Sequence, residues 1–324
     1  MVRAIRFHRP GGPEVLQIDE IDVPAPGKGE VRLRQTASGV NFTDIYSRSG
    51  LYPAPMPMIP GREGVGVVEA VGPGVSGWSP GDRVAYCALH GSYAEARLID
   101  PKHLIRLPDE IDDVTAASIV LRGITAHFLL HDVHPVKAGD TILVHAAAGG
   151  VGLILAQWAT AMGVRVIGTA SSEAKAALAR EAGCAHVITG RDADIPGEVK
   201  AFTDGAMVGV VYDAVGRDTY VRSLDSLARR GHLVSFGQAS GAIPPVTIQE
   251  FGNRGSLSLT RPMLGDYIAD PAQRDVRAAA LFDMVAAGRI KVRTEHVYPF
   301  ERIGQAHEDL EAGRTSGSLV LTMT

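Results

Sequence analysis

The sequence predicts an α/β protein with two domains, a mostly β part and a doubly wound parallel sheet. Up to about Arg122 the chain is rich in glycine and proline, with short β-branched runs such as residues 30–37 and 64–71. After Thr125 apolar strand-like runs alternate with helix-length segments, as a parallel sheet covered on both faces requires. A glycine-rich stretch at 147–152 stands between the first of these strands and a helix. This arrangement is typical of a Rossmann-type domain.

The apolar runs and helical segments define the expected elements and domain bounds. The runs that predict parallel strands are residues 141–146, 165–170, 186–189, 208–213 and 232–237. Beyond about Lys291 the pattern predicts a strand at 296–299, a helix at 303–311 and a strand at 318–321. We therefore expect a first domain of residues 1–124 completed by 291–324, and a Rossmann domain of residues 125–290.

Composition narrows the class of protein. The chain has 324 residues, 45% of them hydrophobic, with 32 Lys plus Arg against 36 Asp plus Glu for a net charge of −4. A mildly acidic chain without a basic block disfavours a nucleic-acid partner. The start lacks a signal-peptide pattern, and the sequence suggests no membrane span, so we expect a cytoplasmic protein. The two cysteines, Cys87 and Cys184, are too few for a disulfide framework or a structural zinc site.

The strand at 141–146 runs through the glycine-rich stretch, which includes Gly149, Gly150 and Val151, directly into a helix. Small residues let the backbone approach a pyrophosphate, and the helix N-terminus offers unpaired N–H donors. The context of strand, turn and helix therefore predicts a dinucleotide site. The alternative is a tight turn that binds no ligand.

The end of the second strand distinguishes the two nicotinamide cofactors. NAD-binding domains place an acidic residue there for the ribose 2′-hydroxyl, whereas this chain has Ser171 and Ser172, followed by Lys175. Lys175, with Arg191 after the third strand, fits a 2′-phosphate, which favours NADPH. The alternative is that a serine only caps the helix and Lys175 is a solvated lysine.

Several motifs together resemble the zinc-free quinone oxidoreductase (zeta-crystallin-like) branch of the medium-chain dehydrogenase/reductase superfamily, and the match spans nearly the whole chain. The motifs are GGPEVL (11–16), NFTDIY (41–46), RSGLYP (48–53), HAAAGGVG (145–152), YDAVGRD (212–218) and TRP (260–262). The resemblance implies a GroES-like catalytic domain built from both ends of the chain, NADPH as cofactor and a homodimer. It also implies that no metal is bound, because Asn41 and Arg62, with Glu63 next to it, match the positions of a zinc-ligating cysteine and histidine in metal-dependent relatives.

The same resemblance assigns site residues. Asn41, Tyr46 and Thr125 are expected at the nicotinamide; Gly149, Gly150 and Val151 at the pyrophosphate; Ser171, Ser172, Lys175 and Arg191 at the 2′-phosphate; and Val215, Phe236 and Gly237 along the sheet edge. Arg314 is a further cofactor candidate, one place after the family's usual arginine. Gly190 stands where the family often has a tyrosine beside the adenosine phosphate. Asn41, Tyr46, Tyr52 and Arg261 are the candidates for the quinone site, which we expect in an interdomain cleft; for the tyrosines, the alternative is aromatic loop packing.

His127, His131 and His134 lie close together in sequence, but packing is the favoured interpretation because no carboxylate or cysteine partner is evident. The residues 255–260 predict a strand at the sheet edge, which a symmetric dimer would cover.

The leading hypothesis is an NADPH-dependent quinone oxidoreductase. The alternatives are an NADPH-dependent enone or enoyl-thioester reductase on the same fold and a non-enzymatic role in binding NADPH or RNA, known for some relatives.

Overall fold

A computed structural model describes residues 1–323. Its strands are, in chain order, β1 (Val2–Arg6), β2 (Gln17–Ile21), β3 (Val31–Val40), β4 (Glu63–Val71), β5 (Arg83–Cys87), β6 (Ala96–Ile99), β7 (Ile105–Arg106), β8 (Thr141–Val144), β9 (Arg165–Ala170), β10 (His186–Thr189), β11 (Val208–Asp213), β12 (Leu227–Ser235), β13 (Ser258–Thr260), β14 (His296–Pro299) and β15 (Leu319–Thr322). Its α-helices are α1 (Phe42–Arg48), α2 (Asp113–Phe128), α3 (Gly150–Ala161), α4 (Glu173–Glu181), α5 (Ile195–Phe202), α6 (Tyr220–Asp225), α7 (Ile248–Asn253), α8 (Leu264–Tyr267), α9 (Pro271–Ala286) and α10 (Ile303–Glu311). A π-helical turn, Leu129–Val133, continues α2.

The chain divides into two compact units. The first comprises Met1–Ile124, Asp270–Ala286 and the segment from Val292 onward, and the second comprises Thr125–Ala269 and Ala287–Lys291. The predicted second domain, residues 125–290, differs from the second unit because α9 groups with the first. Packing explains this difference, since a Cβ on Gly123 would lie 2.4 Å from Cδ1 of Leu281 in α9.

The second unit contains a six-stranded sheet in the order β10-β9-β8-β11-β12-β13, and every neighbouring pair is parallel. The predicted doubly wound sheet is therefore confirmed. Its strands are apolar because the sheet is buried, and Leu143, Ile167, Val211 and Leu233 are each at most 1% exposed. Connections through helices bring the carboxyl ends of these strands to one edge, where ligands bind in such folds.

The first unit is built on a sheet in the order β14-β15-β3-β4-β5-β7, with β6 also paired to β3. β15 pairs antiparallel with β3, so the last strand of the chain lies beside an early one. The core next to this pairing contains Ile5, Val40, Phe300 and Leu321, all fully buried. The hairpin of β1 and β2 forms a separate two-stranded sheet.

One helical stretch, Asp113–Val133, has 21 residues and contains an 18-residue window with a mean hydropathy of 1.3, so it has the length and composition of a membrane span. Within the fold, 72% of that window is buried. A core helix has the same properties, so the apolar composition follows from burial in protein.

Candidate active site

The glycine-rich loop connects β8 to α3, and Gly149 is the N-cap of that helix with no side-chain cap. The first helical hydrogen bond runs from the Leu153 amide to the Gly149 carbonyl at 2.9 Å. The amides of residues 150–152 therefore have no acceptor within the helix, and its 12 residues add a positive dipole end. This N-terminus has the donors that a pyrophosphate needs.

Gly152 lets the helix approach the strand that precedes it. A Cβ at this position would lie 2.4 Å from the Ala146 carbonyl oxygen and 2.9 Å from the Ala147 Cα. Contacts this short with backbone atoms leave no room for a side chain. The third glycine of the motif is thus required by packing, as the dinucleotide fingerprint demands.

The ends of β9 and β10 bring two predicted cations together. Burial lowers the pKa of Lys175, and the nearby Arg191 guanidinium lowers it further. Two cations that repel each other are stabilised by an anion between them. Ser172 is the N-cap of α4, its hydroxyl accepting a 3.4 Å hydrogen bond from the Lys175 amide. Ser172 therefore caps a helix, which was one of the alternatives for the two serines.

Two further features affect this end of the unit. The carboxylate of Glu173, on the first turn of α4, is paired with Arg180 at 2.5 Å. Gly190 has a φ of +111°, and a Cβ there would meet open space. A Cβ at position 190 would therefore meet no clash, but this left-handed conformation would strain any residue other than glycine.

The residues predicted along the sheet edge lie at the ends of β11 and β12. The Val215 amide donates to the Asp213 carboxylate at 2.7 Å, and the Phe236 amide donates to the Asp213 carbonyl at 2.9 Å. A Cβ on Gly237 would lie 2.4 Å from the Ala214 carbonyl oxygen. The two loops therefore run side by side.

Two other predicted residues also belong to the second unit. Arg261 follows β13 and donates to the Ser235 carbonyl at 2.8 Å. Thr125 is buried on α2.

In the first unit, Asn41 is the N-cap of α1 and part of a buried hydrogen-bond network. Its side-chain amide donates to Glu63 at 2.9 Å, and the Arg122 guanidinium reaches the same carboxylate oxygen at 3.1 Å. The other oxygen of Glu63 accepts from the Leu121 amide at 2.8 Å. Burial raises the pKa of Glu63 against the opposing effect of Arg122.

The positions that the family resemblance matches to zinc ligands do not fit that metal. The nitrogen of the Asn41 side chain is used as a donor to Glu63, and the Arg62 guanidinium donates to the Ala88 carbonyl at 3.1 Å. Neither group can replace a thiolate or an imidazole as a ligand. Across residues 1–323, no group of three or more His, Cys, Asp or Glu is arranged to hold a metal ion.

The histidines near the end of α2 pack as aromatic rings. The His127 and His131 rings are 4.4 Å apart, and His127 also contacts the edge of Trp158 at 5.4 Å. His134 lies beside His232, with their Nδ1 atoms 3.3 Å apart. This arrangement agrees with the packing interpretation.

Tyr46 and Tyr52 are brought together by α1 and the turn that follows it. Their rings meet edge to face at 5.3 Å, and the Tyr52 amide donates to the Tyr46 carbonyl at 2.9 Å. Tyr46 is buried and Tyr52 is partly exposed. The remaining candidate, Arg314, makes an ion pair with Asp309 at 2.7 Å within the first unit.

A buried series of hydrogen bonds that begins at Asp44 on α1 was not predicted from the sequence. The Asp44 carboxylate accepts from the Asn41 amide at 2.8 Å and from the Tyr93 hydroxyl at 3.0 Å, and Tyr93 lies 3.3 Å from His307. The second carboxylate oxygen of Asp44, Oδ1, has no hydrogen-bond partner within residues 1–323. Burial raises the pKa of Asp44 to about 7. The only signal for this residue in the sequence is its place three residues after the N-cap Asn41, where an acid can reach back to the N-cap amide.

Comparison with known proteins agrees with this architecture. An alcohol dehydrogenase GroES-like domain matches residues 27–109, and a zinc-binding dehydrogenase domain matches residues 150–280. A quinone oxidoreductase from Pseudomonas aeruginosa is 45% identical, and a 2-haloacrylate reductase from a Burkholderia species is 42% identical, each over 99% of both chains. The crystal structure of Escherichia coli quinone oxidoreductase complexed with NADPH has a TM-score of 0.97 at 42% identity, covering 99% of this chain and 100% of that one.

A GroES-like domain joined to a doubly wound parallel sheet defines a medium-chain dehydrogenase/reductase. Within this superfamily, the identity over almost the full length of both chains shows that the chain belongs to the quinone oxidoreductase family. The family resemblance and the fold class predicted from the sequence are confirmed.

The raised pKa of Asp44 generates a prediction about stability and pH. An acid with a higher pKa in the folded state stabilises the fold below its unfolded pKa, and that contribution is lost as pH rises, here between about 4 and 7. Asp44→Asn retains an oxygen for the two donors and places its amide at the unpartnered position, like a permanently neutral acid. We expect the stability of the variant relative to wild type to increase across this window by up to about 1.4 kcal/mol per pH unit.

Urea unfolding of both proteins at several pH values measures this difference. Parallel stability curves for the two proteins between pH 4 and 7 would show that Asp44 does not titrate in this way.

Proposed function

We propose that this protein is an NADPH-dependent quinone oxidoreductase that needs no metal. The observation that carries the proposal is the pair of cations, Lys175 and Arg191, at the ends of the strands that follow the glycine-rich loop. No carboxylate stands at the end of β9 to accept a free ribose hydroxyl, and a 2′-phosphate would be attracted by both cations. Relatives named quinone oxidoreductase, one of them complexed with NADPH, support the assignment.

Different residues of this protein bind different parts of the dinucleotide. Gly149, Gly150 and Val151 contact the pyrophosphate, with the amides of Gly150 and Val151 as donors, while Ser171, Ser172, Lys175 and Arg191 hold the 2′-phosphate. Val215, Phe236 and Gly237 line the path of the cofactor, and Asn41, Tyr46 and Thr125 orient its nicotinamide. Arg314 contributes at the adenosine end only when its pair with Asp309 opens. The nicotinamide supplies the electrons, and the protein supplies orientation.

The acceptor is a flat quinone positioned by Asn41, Tyr46, Tyr52 and Arg261. An ordinary ketone needs a Lewis acid or proton donor at the developing alkoxide. Reduction of a quinone yields a resonance-stabilised aromatic product that water can protonate, so alignment with the nicotinamide provides much of the rate. Tyr46 and Tyr52 then act by packing on the ring, and neither donates an essential proton.

A second candidate function is reduction of a conjugated carbon–carbon double bond, as in an enone or enoyl thioester. The observation that favours it is the 42% identity to a 2-haloacrylate reductase over nearly the full length of both chains. The two functions differ in what the site must supply, because a reduced carbon–carbon bond needs a proton at carbon.

Steady-state oxidation of NADPH with quinones, enones and enoyl thioesters separates the two functions. We expect quinones to give the highest kcat/KM, and we expect Tyr46→Phe and Tyr52→Phe to change kcat only modestly. Alanine at either position is expected to raise the KM for quinone through lost packing. A loss of about 10³ in kcat on Tyr→Phe, the scale of general acid catalysis, together with preference for an enone, would favour the second function.

Cofactor preference tests the role of Lys175. A hydrogen bond to a charged group contributes about 1.5–3 kcal/mol, so Lys175→Ala is expected to weaken NADPH binding by about 10-fold to 150-fold and leave NADH binding almost unchanged. Lys200→Ala, at an exposed lysine of α5, is the matched control and should alter neither affinity. Equal losses for the two cofactors in Lys175→Ala would reject this assignment.

We also propose that the protein is a cytoplasmic homodimer. The strand β13 lies at the end of the parallel sheet and pairs, within residues 1–323, only with β12. An unpaired edge is a template for another strand, and a twofold axis lets two copies cover each other's edges.

Light scattering at micromolar concentration is expected to give twice the 34.2 kDa of one chain. A mass of one chain would contradict the dimer, and recovery of the protein in a membrane fraction would contradict the location.

A further inference from the structure

A buried histidine lies beneath the loops that the proposed function assigns to the cofactor. His145 follows β8 and is 1% exposed. Its Nδ1 atom lies 3.2 Å from the Thr169 hydroxyl, and its Nε2 atom lies 3.0 Å from the Ser223 hydroxyl. Ser223 in turn donates to the Asp213 carboxylate at 2.8 Å. The four side chains form one continuous chain of hydrogen bonds across β9, β8, β11 and α6.

The direction of each bond in this chain follows from the number of protons available. A carboxylate only accepts, so the single proton of Ser223 points to Asp213. The Ser223 oxygen must then accept from His145, which places the imidazole proton on Nε2. The bare Nδ1 accepts from the Thr169 hydroxyl, whose oxygen accepts from the Ala146 amide at 3.2 Å. Every donor in the chain is matched to one acceptor.

At Thr169, this chain of hydrogen bonds reaches a strained residue of the glycine-rich loop, Ala146. Ala146 has a φ of +51°, a conformation that costs free energy for a residue with a side chain. Its amide is fixed by Thr169, and its carbonyl accepts the Gly149 amide at 2.8 Å. The orientation of Gly149, which caps α3, therefore depends on the conformation of Ala146.

At Asp213, the other end of this chain of hydrogen bonds contacts the loop that follows β11. The Asp213 carboxylate also accepts from the amides of Val215 at 2.7 Å and Gly216 at 3.0 Å, and from the Thr219 hydroxyl at 2.7 Å. The same carboxylate thus orients the loop after β11 directly and the loop after β8 through His145.

We propose that His145, held as the neutral Nε2–H tautomer by Ser223 and Asp213, is a positioning residue that sets the conformation of the pyrophosphate-binding loop through Thr169 and Ala146. The inference rests on the proposed function for the identity of the ligand, NADPH. Burial lowers the pKa of His145, which agrees with a neutral ring. An imidazolium, or the Nδ1–H tautomer, would turn Nδ1 into a donor and remove the acceptor that orients the Thr169 proton.

The first experiment observes the tautomer directly in the protein without cofactor. Nitrogen-15 correlation spectra distinguish the two neutral tautomers and the imidazolium, and the signal of His145 is the one absent from His145→Gln. We expect the neutral Nε2–H pattern at pH 7. The Nδ1–H pattern or an imidazolium would overturn the proposal without bearing on whether the protein binds NADPH.

The second experiment removes one hydroxyl from the chain. Thr169→Val has nearly the same shape but leaves the Ala146 amide and His145 Nδ1 without their partner, whereas Thr169→Ser retains the hydroxyl. The Nδ1 atom of His145 is buried, and leaving it without its donor costs about 1–3 kcal/mol, so we expect Thr169→Val to weaken NADPH binding by about 5-fold to 150-fold. We expect kcat at saturating NADPH and the KM for quinone to stay within about twofold of wild type, and Thr169→Ser to restore binding.

Thr203→Val is the matched control. The Thr203 hydroxyl likewise accepts a backbone amide, that of Met207 at 3.0 Å, but Thr203 is buried after α5 and lies outside the hydrogen-bond chain of His145. This variant should lose stability without losing affinity for NADPH. An unchanged affinity in Thr169→Val, or an equal loss in Thr203→Val, would overturn the positioning role. If wild type itself failed to bind NADPH, the proposed function would fail instead.

Discussion

The Asp213 carboxylate lies buried at the end of β11 and accepts four hydrogen bonds, two from backbone amides and two from hydroxyls. A buried charge is tolerated only when its hydrogen-bonding capacity is used, and here the donors come from the turn after β11 and from α6. The loops at the carboxyl edge of the sheet are consequently built around a fixed acceptor. Their conformations are thereby defined before any ligand arrives, which lowers the ordering cost of binding.

The first unit also contains a buried carboxylate, that of Glu63, but its hydrogen-bond donors are of different kinds. Glu63 is buried beside Arg122 and Asn41, and its carboxylate is satisfied by an amide side chain, a guanidinium and a backbone amide. The two charges compensate each other only as a pair, because removing either one leaves the other buried without a partner. Both oxygens of the buried Glu63 carboxylate are therefore used as acceptors.

Much of the fold could be predicted from the sequence, because buried parallel strands are continuous apolar runs. The predicted strands at 165–170, 186–189 and 208–213 match β9, β10 and β11, and the predicted helix at 303–311 matches α10. The proximity of Lys175 and Arg191 also followed from the sequence, since consecutive parallel strands end at one edge.

Other features depend on partners that only the folded chain brings together. His145 and Ser223 are 78 residues apart, and Glu63 and Arg122 are 59 apart, so no local pattern joins them. The grouping of α9 with the first unit likewise depends on the contact between Leu281 and Gly123. This contact cannot be predicted from the identities of the two residues.

The pairing of β15 with β3 has a consequence for how the chain folds during synthesis. The second unit is almost continuous in sequence, so its sheet can assemble while translation is still under way. The sheet of the first unit lacks β15 until residues 319–322 have been synthesised, and adding this strand joins segments about 280 residues apart, which is slow because of the loop-closure entropy. During that interval the free edge of β3 at residues 37–40 is exposed to chaperones and to other nascent chains.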